Sequence, residues 1–193
     1  MATFLKQLNG GDYSVLEANF LAARRTGQVK AQLPLGDDFD LGEAVENGMF
    51  LVYDMATGEV KKPANADQKG MMLHFSVEKE YDNIRPGLNS YAIFKQDGNK
   101  APGTPYPRFF QPHMGDTFTT DAVRLSDSDV NDATALDAYE ALTVGHVFGI
   151  GDDGIINATT SGAAAEGVRV RLIALTTLPN GGYACKFEIA YVA

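Results

Sequence analysis

From Gly42 onward the chain is a series of short apolar runs broken by Gly, Asp and Asn, a rhythm that predicts strands joined by tight turns. Met49 to Tyr53 and Glu59 to Lys62 flank Asp54-Met55-Ala56-Thr57-Gly58, where Gly58 supplies the positive φ that a hairpin loop needs. Met71 to Glu78 alternates Met71, Leu73, Phe75 and Val77 with Met72, His74, Ser76 and Glu78, the period of two expected of a half-buried strand. Ser90 to Lys95 reads as a further short strand. Val144 to Ile150 and Ile155 to Ala158 form a second hairpin around Gly151-Asp152-Asp153-Gly154. The clearest unit comes last, with Val168 to Leu178 and Tyr183 to Val192 bracketing Pro179-Asn180-Gly181-Gly182. Its second strand places Tyr183, Cys185, Phe187, Ile189 and Tyr191 on one face and Lys186 and Glu188 on the other, so Cys185 reads as a core residue.

Residues 1–40 differ from this pattern and read as an N-terminal arm or short helix preceding a β-rich domain over 41–193. Ser14-Val15-Leu16-Glu17 is a capping box, which predicts a helix over Val15 to Arg25 stopped near Gly27. Apolar residues cover most of that helix's circumference, and an extended arm lying on a neighbour accounts for them equally well. Asp132 to Leu142 predicts one internal helix with Leu136, Tyr139 and Leu142 on a face, capped by Ser126 or Asp127. Ala101 to Pro112 carries Pro102, Pro105, Pro107 and Pro112, so a loop or edge segment is expected there. Since no long helix alternates with the strands, the expected fold is mainly β, a small barrel or sandwich, and not a doubly wound α/β sheet.

Charge and composition narrow the partners. Lys and Arg total 16 against 25 Asp and Glu, a formal net charge of -9, which is the wrong sign for holding nucleic acid or an anionic membrane. The only Cys, Cys185, cannot form an internal disulfide, in keeping with a reducing compartment. The first residues lack the apolar core and cleavage pattern of a secretory signal, so Asn157-Ala158-Thr159 reads as a turn and not a glycosylation site.

Motifs for chemistry are sparse. Gly149 to Gly154 matches G-x-G-x-x-G, but a strand follows it where a phosphate loop needs a helix N-terminus. Asp127, Asp129 and Asn131 imitate the opening of a calcium loop, which then fails at Asp132, where Gly belongs, and at Ala138, where Glu belongs. They remain weak metal candidates. His74, His113 and His146 have no zinc spacing, although His113 lies three residues before Asp116, a spacing able to orient an imidazole. No cofactor is expected. Arg108-Phe109-Phe110 combines residue types enriched at binding hot spots with a proline-braced backbone that lowers the entropy cost of docking. These residues serve equally as a docking arm or as the closure of an open barrel end, and Phe4 and Leu5 are the matching candidates in the N-terminal arm.

Gly42 to Ala64, Gly115 to Val123, Val144 to Ala158 and the closing strands together resemble small structural proteins of tailed-bacteriophage virions, with head decoration (cement) proteins the nearest likeness. The resemblance implies a β-barrel or tulip-like domain without catalytic residues. It also implies binding to the major capsid protein, homotrimers at local threefold positions, residence on the virion's capsid surface after synthesis in the host cytoplasm, and stabilisation by bridging capsomers. The chain is longer than typical decoration proteins, which points the extra N-terminal segment and the Ala101 to Pro112 loop towards inter-subunit contacts or towards another virion role, such as a minor capsid or tail and fibre-base protein. The rival enzymatic expectation is a metal-dependent hydrolase using His113, Asp116 or the Asp127 to Asp132 cluster.

Overall fold

The computed structural model describes residues 2–17, 29–30, 33–75, 92–94, 106–159 and 167–192. Those residues are mainly β. In chain order they form β1 (Thr3–Phe4), α1 (Leu5–Leu8), β2 (Leu16–Glu17), β3 (Val29–Lys30), β4 (Ala44–Glu46), β5 (Phe50–Asp54), β6 (Glu59–Lys61), β7 (Met71–His74) and β8 (Ala92–Phe94). They continue with β9 (Phe109–Phe110), β10 (Thr117–Thr120), β11 (Val123–Ser126), α2 (Asp132–Glu140), β12 (Val147–Ile150), β13 (Ile156–Asn157), β14 (Arg169–Thr177) and β15 (Tyr183–Tyr191).

Eight strands make one sheet in the order β1-β11-β13-β12-β14-β15-β10-β2, five make a second in the order β3-β9-β7-β5-β6, and β4 pairs with β8. All three hairpins expected from Gly-bearing turns are present, β5 with β6, β12 with β13 and β14 with β15. At the first, Gly58 takes φ 74°, as its turn requires.

The two large sheets face each other across one apolar layer, and no closed barrel forms among the described residues. Phe50, Met71 and Leu73 from the five-stranded sheet meet Phe118, Phe148, Leu172 and Phe187 from the eight-stranded sheet. Their rings run in a chain, with centroids 6.1 Å apart for Phe50–Phe118, 5.9 Å for Phe118–Phe187 and 6.4 Å for Phe148–Phe187. Such a layer stabilises the pair of sheets by about 1.5–3 kcal/mol per large side chain removed from water. A second core covers the opposite face of the five-stranded sheet, where Leu51, Val60, Met72 and Phe109 pack beneath Leu35, Phe39 and Val45.

That double coverage corrects several expectations. β7 is buried at all four positions and not on alternate ones, because Met71 and Leu73 enter the first core while Met72 enters the second. Phe109–Phe110 is an inner strand between β3 and β7; its two residues contain no Pro, so both can join the ladder that the flanking prolines cannot. Before residue 40, the described segments are built into the domain and do not form a separate arm. β1 and β2 extend the eight-stranded sheet, Leu5 and Leu16 are fully buried in its core, and Leu35 and Phe39 roof the other core. Leu16–Glu17 is extended and not helical, and residues 18–25 of the expected helix lie outside the described set. The Ser76 to Glu78 end of the strand expected from Met71, the ends of Ser90 to Lys95, and 101–105 also lie outside it.

Helix α2 forms as its sequence predicts but is capped by Asn131, whose Oδ1 accepts the Thr134 amide at 3.0 Å, and not by Ser126 or Asp127. Cys185 is a buried core residue whose thiol burial pushes up to about 12, which makes it a poor nucleophile. Tyr191 departs from the face it shares by simple alternation with Phe187. The ladder slips between Arg169 and Val170, leaving Ala190 unpaired and setting Tyr191 opposite Arg169.

The sheets are also tied through one turn. Gly154 has φ 81°, its carbonyl accepts the Phe50 amide at 2.7 Å, and a Cβ there would lie 2.5 Å from the Phe50 carbonyl oxygen. Gly154→Ala is therefore expected to lower stability by about 2 kcal/mol or more in a denaturant titration. An unchanged midpoint would contradict this packing of the turn on β5.

Candidate interaction surface

Polar residues divide into a buried set that holds the chain together and an exposed set that faces outward. The buried set begins with Asp121, in the bend between β10 and β11. Its Oδ1 accepts the Val15 amide at 2.6 Å and its Oδ2 accepts Asn9 Nδ2 at 3.1 Å. Asn9 in turn accepts the Tyr183 amide at 2.6 Å and donates to the Tyr183 carbonyl at 2.9 Å, which stitches the loop after α1 to the start of β15. Glu46 does the same from β4, accepting the Ser14 amide at 2.7 Å and pairing with Lys6. The Ser14 capping box thus loses to long-range partners: amides that would be left orphaned at a helix start are satisfied by two carboxylates. His74 completes the group, with Nδ1 2.7 Å from the Glu46 carbonyl and its ring 5.3 Å from that of Phe109. Sequence reasoning missed Asp121, Glu46 and Asn9, because each is one acid or amide among many until the fold buries it.

The sequence candidates are spread over different places. Phe109 and Leu5 are fully buried, so neither can anchor a partner from this fold. Phe110 is half-buried against the Phe75 ring at 5.9 Å. Phe4 packs beside the core that holds Phe109 and sits 5.9 Å beneath both the Lys6 ammonium and the Arg124 guanidinium. Arg108 alone of this set is exposed. Asp116 accepts the main-chain amide of His113 at 2.9 Å, so this spacing braces a turn. Asp127, Asp129 and Asn131 form no ligand set: Asn131 caps α2, Asp127 reaches Arg124 at 3.5 Å, and Asp129 is exposed. Among the described residues no group of three or more His, Cys, Asp or Glu converges to hold a metal ion. No helix among them is long and apolar enough to cross a membrane.

Two open clefts flank the loop after β6. One, of about 300 Å³, contains Asn65, Arg124, Gly149, Gly151, Asp152 and Asn157. Arg124 is consumed there by contacts to Asp153, to Asp152 at 3.8 Å and to Asp127, which clamps the β12–β13 turn onto β11. The other, of about 350 Å³, lies along Tyr53, Lys61 and Gln68, with Lys61 paired to Asp54 at 2.6 Å.

The outward set is displayed on the eight-stranded sheet. Val170, Leu172, Phe187 and Ile189 turn inward, which leaves Arg169, Arg171, Lys186 and Glu188 on the outer face. Arg169 lies 5.1 Å over the Tyr191 ring, and Arg171 pairs with Glu188 at 2.9 Å. A second slip of the ladder, between Leu172 and Ala174, leaves Ile173 unpaired and 37% exposed beside them. Bulges re-aim side chains, and here two of them turn an Ile and a Tyr to solvent in the company of arginines, the mixture enriched at protein contacts. Elsewhere Met55 in the β5–β6 turn is 87% exposed, and Leu41 ahead of β4, Met114 and Val144 are exposed too.

Comparison of the chain with protein-family models, with curated proteins and with solved structures finds no match.

The buried set has a pH signature. Burial pushes the Asp121 carboxyl up to about 7 from 3.8, with the Val15 and Asn9 donors and the Lys6 charge pulling it back. Burial likewise holds the His74 imidazole down at about 4 from 6.5, against its hydrogen bond to Glu46. Asp121's contribution to stability is complete below pH 3.8 and is lost as pH rises through 7, whereas that of His74 is complete above pH 6.5 and is lost as pH falls through 4. The two slopes oppose each other between pH 4 and 6.5. Asp121→Asn is therefore expected to give a stability that climbs more steeply with pH over that range than wild type does, read by denaturant titration at each pH. Parallel profiles would contradict the assignment.

Proposed function

We propose that this chain is a non-enzymatic structural protein of a tailed-bacteriophage virion, a decoration protein that binds the assembled capsid and stabilises it by bridging capsid subunits. The observation that carries this reading is the division of labour among its side chains. Asp121, Glu46, Asn9 and His74, the groups buried deeply enough for tuned chemistry, are engaged with main-chain amides and carbonyls. Large apolar side chains are instead left outside at several places, among them Met55 in the β5–β6 turn, Leu41 ahead of β4, Met114, Val144, and Ile173 and Tyr191 on the outer sheet face. A protein that bridges needs two contact surfaces, and exposed Leu, Met, Ile and Tyr are what such surfaces present. The resemblance of Gly42 to Ala64 and of Val144 to Ala158 to decoration proteins agrees with this, since both segments fold as hairpins on adjoining sheets. Location on the virion surface and association into homo-oligomers belong to the same proposal.

The test is binding of the purified chain to capsids that lack it, scored by co-sedimentation. Wild type is expected to travel with the particles. The double variant Leu41→Asp/Met55→Asp, folded by circular dichroism, is expected to lose about tenfold or more in affinity, since each side chain is worth about 1.5–3 kcal/mol when buried. Wild-type protein that stays at the top of the gradient would refute the proposal.

A further inference from the structure

The chain contains three Asn-Gly pairs, Asn9-Gly10, Asn47-Gly48 and Asn180-Gly181. Where the residue after Asn has no Cβ, its main-chain nitrogen reaches the Asn side chain without a clash. That nitrogen gives up its proton and bonds to Cγ, the Cγ–Nδ2 bond breaks, and ammonia leaves with the proton, closing a succinimide ring. Water then adds to one of the ring carbonyls, which gives Asp or isoaspartate. The fold sorts the three pairs. Asn9 is buried, its carboxamide held by Asp121 and by the amide and carbonyl of Tyr183. Asn47 is buried too, and Gly48 beside it donates to the His74 carbonyl at 2.9 Å and packs so closely that a Cβ would lie 2.7 Å from Thr120 Oγ1. Swinging either peptide round to meet Cγ would disrupt the interior. Asn180, in contrast, is half-buried at the tip of the β14–β15 hairpin, and Gly181 is exposed, with nothing within 4 Å of where a Cβ would stand. The Asn180 Oδ1 accepts the Gly182 amide at 3.1 Å, the Gly181 amide donates to the Leu178 carbonyl at 2.8 Å, and Asn180 Nδ2 has no partner among the described residues. Both bonds lie within the turn, so the tip opens by local fluctuation without uncovering the core.

We infer that Asn180 is a self-modifying site, which deamidates by attack of the Gly181 nitrogen while Asn9 and Asn47 stay intact, and that its isoaspartate product slackens the tie between the β14–β15 turn and Asn9. The tie is short at every link. Leu178 donates its amide to the Gly182 carbonyl at 2.8 Å, a Cβ on Gly182 would lie 3.0 Å from Asn9 Cγ, and the next residue, Tyr183, donates its amide to Asn9 at 2.6 Å. Isoaspartate routes the main chain through the former side-chain carbon and so inserts an extra atom between Leu178 and Gly182. A turn anchored on both sides absorbs that atom by shifting Gly182 and Tyr183 away from Asn9, the residue that joins them to Asp121. The inference concerns the chain alone and does not depend on the virion reading.

The test is to hold the purified full chain in mildly alkaline buffer at body temperature, sample it over days, and read each Asn-Gly pair by peptide mass spectrometry, with isoaspartate scored by enzymatic methylation. Conversion at Asn180 is expected to run about tenfold or more faster than at Asn9 or Asn47. The isoaspartate fraction, separated by its added negative charge, is expected to unfold at lower denaturant than fresh protein and to exchange the Tyr183 amide hydrogen faster. Asn180→Gln, which closes a larger ring more slowly, is expected to hold its charge and its own starting midpoint over the same period. Fresh Asn180→Asp carries the charge without the extra main-chain atom and is expected to keep the midpoint of the unaged chain. Equal rates at the three pairs, no conversion at Asn180, or an isoaspartate fraction with unchanged midpoint and unchanged Tyr183 exchange would each overturn the inference. So would a fresh Asn180→Asp variant as destabilised as the isoaspartate fraction, since charge and not the lengthened turn would then be the cause.

Discussion

Two buried carboxylates hold the segment before β2 against the rest of the domain. Asp121 and Glu46 accept the consecutive amides of Val15 and Ser14, and Asn9 carries the connection on to the main chain of β15. With these bonds made, Leu5 and Leu16 fall into the core between the sheets and β2 completes one edge of the eight-stranded sheet. Removing either acceptor would leave an amide unsatisfied inside the protein, at a cost of about 1–3 kcal/mol, more than the local bonds of a capping box return. Both oxygens of each acid accept from protein donors, Val15 and Asn9 at Asp121 and Ser14 and Lys6 at Glu46.

Beside this junction the five-stranded sheet is the middle layer, covered by the aromatic chain on one face and by Leu35, Phe39 and Val45 on the other. A strand in such a layer needs apolar residues at every position, and MMLH in β7 meets that demand by burying its one polar residue, His74, against the Glu46 carbonyl. Gly154 joins this layer to the outer sheet at a distance only a residue without a Cβ allows.

The hairpins were legible in the sequence because their signals are local: Gly58, the Gly151 to Gly154 turn and Pro179 to Gly182 each dictate backbone geometry without help from the rest of the chain. The mainly β class and the burial of Cys185 follow from the same alternation. Features that depend on partners distant in sequence were not legible. Nothing near Ser14 reveals that Glu46 and Asp121 will take its amide and that of Val15, nothing in PRFFQP reveals that β3 and β7 will flank it, and simple alternation cannot show the ladder slips that turn Tyr191 and Ile173 outward. Phe109 and Leu5 have the chemistry of contact residues but complete the cores, and the exposed Ile173 and Tyr191 belong to a strand pair that reads as ordinary sheet.

The proposed virion role rests on buried polar groups that hold the chain's own backbone and on apolar side chains left at its surface. Quantitative mass spectrometry of purified particles from the native source tests this most directly, by counting this chain against the major capsid protein. The account predicts that it is present in many copies in a fixed ratio to that protein. Its absence from particles, with the chain recovered only as free protein, would contradict the account.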